Sequence, residues 1–136
     1  MDTADDLRDS LVQASFAVIA MLNRVAAEHD LSLTQLRVLG ILRDREPTMA
    51  ELATYLGLER STVSGLIDRA VDRGLVRKTA DAADGRSVRV SLTAGARRLE
   101  IRVIADIGEL MAPLAGRLTP DERKRLTALL SKALDS

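Results

Sequence analysis

The most constraining stretch of the chain is residues 59–73, Glu-Arg-Ser-Thr-Val-Ser-Gly-Leu-Ile-Asp-Arg-Ala-Val-Asp-Arg. Its apolar residues, Val63, Leu66, Ile67, Ala70 and Val71, fall at i, i+3, i+4, i+7 and i+8, the spacing of a helix with one buried stripe. Turned away from that stripe are Ser61, Gly65, Asp68, Arg69 and Asp72, with Thr62 and Ser64 on the flanks. A glycine in mid-helix costs about 1 kcal/mol relative to alanine. A solvated helix gains nothing from it, whereas a helix pressed against something bulky gains close approach. Small hydroxyls near the N-terminus with arginine behind them suit a helix inserted in a DNA major groove. A short surface helix with an incidental glycine has the same pattern, and this stretch alone does not separate the two readings.

Its neighbours bear on the choice. Thr48-Met49-Ala50-Glu51 is a capping box that opens a short helix, with Leu52, Ala53 and Leu56 as its buried side and Gly57 as its stop. Two short amphipathic helices joined by a tight turn make a helix-turn-helix, although an ordinary helical hairpin has the same outline. After Gly74, residues 75–79 and 87–92 read as strands, and Val88, Val90 and Leu92 alternate with Ser87, Arg89 and Ser91 as in a half-buried hairpin. The connection contains Asp84-Gly85, a turn signal, with Arg86 at the tip. A hairpin in that position is a wing, and its tip arginine is placed to enter a narrow minor groove, where the potential favours guanidinium.

The flanks are helical. Residues 5–28 carry Leu7, Leu11, Ala14, Val18, Leu22 and Val25 at spacings of three and four, broadened by Phe16, Ile19 and Met21. A helix this apolar on several sides wants a subunit interface as well as a domain core. Ser32 and Gln35 form a second capping box, with Leu31 and Leu36 as its hydrophobic staple, and that helix ends before Pro47. Thr93 opens a long helix carrying Leu99, Val103, Ile104, Ile107, Leu110, Met111 and Leu114 on its buried sides and ending at Gly116. Thr119-Pro120-Asp121-Glu122 starts the last helix, which carries Leu126, Leu129, Leu130 and Leu134. The fold class expected is mainly α with a small β-hairpin wing: a winged helix-turn-helix domain over 31–92 and a helical dimerisation region from 1–30 and 93–136.

Composition excludes several chemistries. With no cysteine, disulfides, thiolate metal sites and cysteine redox sensing are out. The single histidine, His29, rules out a multi-histidine metal centre and a histidine-based triad, so no metal site and no cofactor is expected. His29 falls where the first helix ends, and there an imidazole favours the negative end of the dipole. The chain shows no nucleophile–base pair, glycine-rich phosphate loop or metal cluster, which argues against an enzyme. The acidic start, Met-Asp-Thr-Ala-Asp-Asp, lacks the basic region of a secretory signal, and no apolar run reaches the length of a membrane span. A soluble, cytoplasmic protein without a membrane partner is therefore expected. Net charge is zero, yet residues 60–98 hold nine Arg or Lys against four acids and stand at +5. That asymmetry fits a local anion-binding surface, although a charge cluster is more often a solvated face.

The element order, with Asp81-x-x-Asp84-x-Arg86, Leu92-Thr93 with Gly95, and a preceding Gly74-Leu75-Val76, resembles the MarR family of bacterial winged helix-turn-helix regulators over essentially the whole chain. The resemblance implies a homodimer formed by the first and last two helices, a recognition helix at 59–73 and a wing arginine at Arg86. It also implies a small, frequently phenolic or anionic ligand between the two lobes, whose binding releases DNA. The chain departs from the family at Gly85, where an arginine is common, and at Lys78, where lysine cannot make an arginine's forked phosphate contact. Its aromatic poverty, with only Phe16 and Tyr55, argues against a stacking pocket for phenols.

The expected DNA-binding residues are Arg60, Ser61, Thr62, Ser64, Gly65, Arg69, Arg73 and Arg86. Of these, Arg60 and Arg73 position the helix on the backbone. Asp68, Arg77, Lys78, Asp81 and Asp84 are expected to support the wing, with Asp68 holding Arg77 or Lys78 and Asp84 orienting Arg86 or capping the turn. Leu7, Leu11, Phe16, Leu114, Leu126, Leu130 and Leu134 are expected at the dimer interface. The partners read from this are double-stranded DNA, a second copy of the chain, and a small apolar or anionic effector in an aliphatic cleft. The rivals are a winged-helix protein-interaction module and a DNA-binding regulator without an effector.

Overall fold

Six helices and one hairpin follow from local signals that mostly sit within four residues of each helix start. In a computed structural model, residues 2–135 are described; Met1 and Ser136, the outermost residues of the expected dimerisation region, lie outside the described residues. The elements are α1 Thr3–Glu28, α2 Leu33–Leu42, α3 Met49–Leu56, α4 Arg60–Asp72, β1 Val76–Ala80, β2 Val88–Leu92, α5 Ala94–Ala115 and α6 Pro120–Leu134. Capping boxes form at Ser32/Gln35, Thr48/Glu51 and Thr119/Glu122, each with both reciprocal bonds made. α3 and α4 stop alike. Leu58 N donates to Ala53 O and Gly57 N to Thr54 O; Leu75 N donates to Ala70 O and Gly74 N to Val71 O. These six-to-one and five-to-two bonds need a left-handed residue, supplied by Gly57 at φ 65° and Gly74 at φ 73°. α1 ends the same way, but with Asp30 at φ 59° in the glycine position.

The core is aliphatic and lies under the helix-turn-helix. Leu39, Leu42, Leu52, Val63, Ile67 and Val90 are almost wholly buried, and Val25 of α1 and Val103 of α5 join them. Full burial of each such side chain is worth about 1.5–3 kcal/mol. β1 and β2 pair antiparallel with Val76 opposite Leu92 and Ala80 opposite Val88, each strand beginning one residue later than the sequence pattern suggests. A third piece of sheet is non-local: Val90 N donates to Pro47 O at 2.9 Å, and Thr48 bridges to Arg89. The segment entering α3 thus covers the free edge of β2 and joins wing to helix-turn-helix.

Several burial expectations are corrected. Val71 is exposed, because the stripe of α4 narrows to Val63, Ile67 and Ala70 where the helix leaves the core. Ser91 is buried with its neighbours Val90 and Leu92, so the inner end of β2 is covered on both faces and does not alternate. On α5, Ile104 and Leu114 are exposed. α1 has only Val25 and Ala26 buried, and α6 has no buried residue. The expectation that no apolar run is long enough for a membrane span is also corrected. α1 reaches that length and composition, since residues 10–27 contain only Arg24 as a charged residue.

Candidate nucleic-acid interface

The apolar stripe that buries Val63 and Ile67 turns the opposite side of α4 outward. Ser61, Thr62, Ser64 and Arg69 are exposed there, and Gly65 is half-buried among them. A Cβ built on Gly65 would meet only the Arg69 guanidinium, at 3.4 Å, so no packing among the described residues requires the glycine. The start of α4 is also unlike the others. Asp2, Ser32, Thr48, Thr93 and Thr119 cap their helices with side-chain oxygens, whereas Glu59 at the start of α4 makes no such bond. The first amides of α4 are left for an outside acceptor, and a helix N-terminus favours an anion. Arg60 is exposed beside them. Arg73, at the far end, donates to Gln35 Oε1 at 2.9 Å and so ties the end of α4 to the capping box of α2.

The wing is held to this unit at three points. Lys78 Nζ donates to Asp68 Oδ1 at 2.6 Å. Strand parity explains why Lys78 and not Arg77 makes this bond, since Lys78 shares the inner face of β1 with buried Val76. Arg89 is the second point, and the sequence reading missed it: Nε donates to Asp81 Oδ1 at 2.7 Å, and a terminal nitrogen donates to Glu46 O at 2.6 Å, with Glu51 at 3.8 Å. The signal was present as an acid and an arginine near one another across a two-strand register. The third point is the Val90–Pro47 backbone bond already described. These contacts move the protons of the charged groups. The Arg89 hydrogen bond holds the Asp81 carboxyl below the usual carboxylate range, and the same bond raises Arg89. The backbone amide of Thr48 lowers Glu51 in the same direction.

At the tip, Asp84 Oδ1 accepts from the Arg86 backbone amide at 3.1 Å, and Oδ2 accepts from the Ser87 hydroxyl at 3.3 Å. The Arg86 side chain is 98% exposed, with its Nε 3.9 Å from Asp84. An outward guanidinium on an anchored hairpin, beside a helix with a small polar face, is the geometry of a winged helix-turn-helix. A family model described as MarR family matches residues 29–87. The transcriptional repressor NicR of Pseudomonas putida is 30% identical over 118 residues, covering 86% of this chain and 75% of that protein. The chain belongs to the MarR family. Among solved structures, apo MarR from E. coli is 28% identical, with a TM-score of 0.79, over 94% of this MarR-family chain and 96% of that one. A mutant of the same protein, complexed with operator DNA, is 26% identical at TM-score 0.77, covering 98% and 99%. Bordetella bronchiseptica BpsR, whose DNA binding is regulated by 6-hydroxynicotinic acid, is 26% identical at TM-score 0.79, covering 100% and 98%. This MarR-family fold is thus that of DNA-binding transcriptional regulators.

Two further features surround the interface. A cleft of about 600 Å³ opens between α1, α2, the end of α3 and α5, with walls that include Ile19, Leu22, Leu39, Val103 and Ile107 and with Arg37, Arg45 and Glu100 as its charged groups. His29, at the end of α1, has Nε2 2.6 Å from Asp106 Oδ2 and so joins α1 to α5. Besides any dipole role, His29 is therefore a cross-helix tie.

Proposed function

We propose that the chain is a sequence-specific, double-stranded DNA-binding repressor that acts as a homodimer on a pseudo-palindromic operator in the cytoplasm. The winged helix-turn-helix domain spans 31–92, and residues 1–30 with 93–136 form the dimerisation region. Two copies of α4 enter successive major grooves roughly 34 Å apart, one turn of DNA. Ser61, Thr62, Ser64, Gly65 and Arg69 face bases or nearby phosphates, Arg60 and Arg73 sit on the backbone, and Arg86 enters the minor groove. Asp68, Asp81 and Asp84, with Lys78, hold the wing in place.

The observation that carries this reading is Gly65: a helix-destabilising residue on an exposed face that no contact among the described residues requires. It makes sense where the backbone of α4 approaches a second surface. The operator complex of the E. coli relative and the repressor NicR support DNA as that surface. Dimerisation is supported by exposed apolar residues on the outer helices. Leu7, Leu11, Phe16, Leu114, Leu126, Leu130 and Leu134 are all at least 38% exposed, and a partner copy packed on these helices would cover them. Such a dimer also gives α1 a use for its apolar length other than a bilayer. A small-molecule effector in the cleft, releasing DNA by favouring another separation of the recognition helices, is supported by its volume and by BpsR.

The test is fluorescence anisotropy of the purified protein on the intergenic DNA beside its own gene, against an unrelated duplex, at about 150 mM salt. Tight binding to the first alone, with affinity falling steeply as salt rises, is the expected result. Equal and weak binding to both, with a flat salt response, would transfer the winged helix to a protein partner.

A further inference from the structure

The charged groups of the cleft are not evenly matched. Glu100 is largely buried, and Arg43 stands 3.7 Å from its Oε1. Arg37 and Arg45 have other neighbours: Arg45 lies 5.0 Å over the Tyr55 ring, and Arg37 donates to Tyr55 O at 2.8 Å and to Leu56 O at 3.3 Å. Those two carbonyls matter. A helix leaves its last four carbonyls without partners inside the helix. In α3 the turn itself satisfies Ala53 O and Thr54 O, through Leu58 N and Gly57 N. Arg37 takes the remaining two. One side chain therefore both lines the cleft and completes the end of the helix from which the turn into α4 departs. Its partners there are neutral oxygens, and a hydrogen bond to an ionised acceptor is roughly twice as strong.

Resting on the effector reading above, we infer that the cleft takes an aliphatic carboxylate whose head group draws Arg37 off Tyr55 O and Leu56 O, so that occupancy loosens the turn that aims α4. The head group belongs at the Arg37 and Arg45 end, where two guanidiniums have no carboxylate within ion-pair distance among the described residues. The tail is assigned as aliphatic because no side chain lining the cleft is aromatic, so an aromatic ligand would gain no stacking there. The volume lies within the roughly 300–1,000 Å³ of ordinary ligand sites. A carboxylate that takes the forked Nη1 and Nη2 pair now bonded to the two carbonyls competes with α3 for it, and that competition is the differential affinity a population shift demands.

Decanoate is the probe, with 1-decanol as the same chain without charge and 2-naphthoate as an aromatic anion, all on the full-length protein. Decanoate is expected to bind at least tenfold tighter than either, and to weaken operator binding at least tenfold. Hydrogen exchange reads the coupling without any substitution: the Gly57 and Leu58 amides are expected to exchange at least tenfold faster with decanoate bound, while the Leu39 and Leu52 amides stay protected. In Arg37→Gln the two carbonyls lose their donor and the head group loses one of its two guanidiniums, so the Gly57 and Leu58 amides are expected to exchange fast without ligand, decanoate to bind more weakly, and its effect on DNA affinity to be lost. Decanoate that releases DNA with Gly57 and Leu58 still protected would overturn the coupling. Tighter binding and release by 2-naphthoate would overturn the aliphatic assignment and leave the effector reading standing. Operator binding that no organic acid of a broad panel alters would sink both.

Discussion

Gly65 and Arg86 state the DNA reading in single residues. Alanine at position 65 gives α4 a better helix former, and its Cβ meets nothing closer than 3.4 Å. Gly65→Ala is therefore expected to raise the free energy of unfolding by about 0.5–1 kcal/mol in urea titrations. The same methyl stands on the face proposed to meet DNA and meets the Arg69 guanidinium at 3.4 Å, so operator affinity is expected to fall at least tenfold. A stabilising substitution that weakens binding separates a contact surface from a packing defect, and a variant that is stabilised and binds normally would remove Gly65 from the interface. Arg86→Ala is the complement. A side chain 98% exposed contributes nothing measurable to folding, so Tm is expected to stay put. Operator affinity is expected to drop by about 1–3 kcal/mol if the guanidinium reads a groove, and unchanged anisotropy titrations would take the wing out of the interface.

At the scale of elements, the wing depends on ionised carboxylates. Asp81 and Glu51 both sit below the usual carboxylate range, through the Arg89 hydrogen bond and the Thr48 amide respectively. A carboxyl lowered in the fold contributes its full stabilisation above its unfolded-state pKa and loses it as pH falls through the lowered value. The wing should thus stay anchored through mildly acidic solution and loosen only below the ordinary carboxylate range. In Arg89→Gln the largest cause of the Asp81 shift is gone, and its titration, followed by carboxyl carbon NMR, is expected to move up towards that range. An unmoved Asp81 would mean that the Arg89 bond does not hold this carboxylate, leaving the wing to the Lys78–Asp68 pair and the Val90–Pro47 backbone bond. Legibility divides along the same line of distance. The capping boxes at Ser32, Thr48 and Thr119 could be read because each closes within four residues, and the hairpin could be placed to within one residue by its turn. The choice of Lys78 over Arg77 was available from strand parity. The Pro47–Val90 bond, the Arg89–Glu46 tie and the Arg37 hold on α3 were not, because each joins residues whose meeting depends on how the helices pack. Val71 and Ser91 broke their periodic patterns for the same reason: the edge of the core, and not the period, decides where a stripe ends.

At the scale of the molecule, the outer helices are apolar where nothing among the described residues covers them. Phe16 is 69% exposed and Leu134 80%, and α6 buries no residue, so the helix has no packing reason within one copy to carry four leucines. This makes α6 a place where assembly can be broken without touching the core. Leu126→Glu combined with Leu130→Glu is expected to leave the far-ultraviolet circular dichroism of the winged helix close to native, because neither side chain belongs to the cluster around Leu39 and Ile67. Sedimentation velocity is expected to change from a dimer to a monomer, since burying two carboxylates without partners costs far more than an interface gains there. Operator affinity is then expected to collapse while the exposed face of α4 is untouched. Two linked half-site contacts bind with an avidity 10²–10⁴ above one, by order of magnitude, and the monomer forfeits that factor. Arg86→Ala supplies the opposite control, a dimer with a weakened contact. A doubly substituted protein that remains a dimer would place the interface elsewhere. One that is monomeric and still binds the full operator tightly would show that the two recognition helices need no fixed spacing.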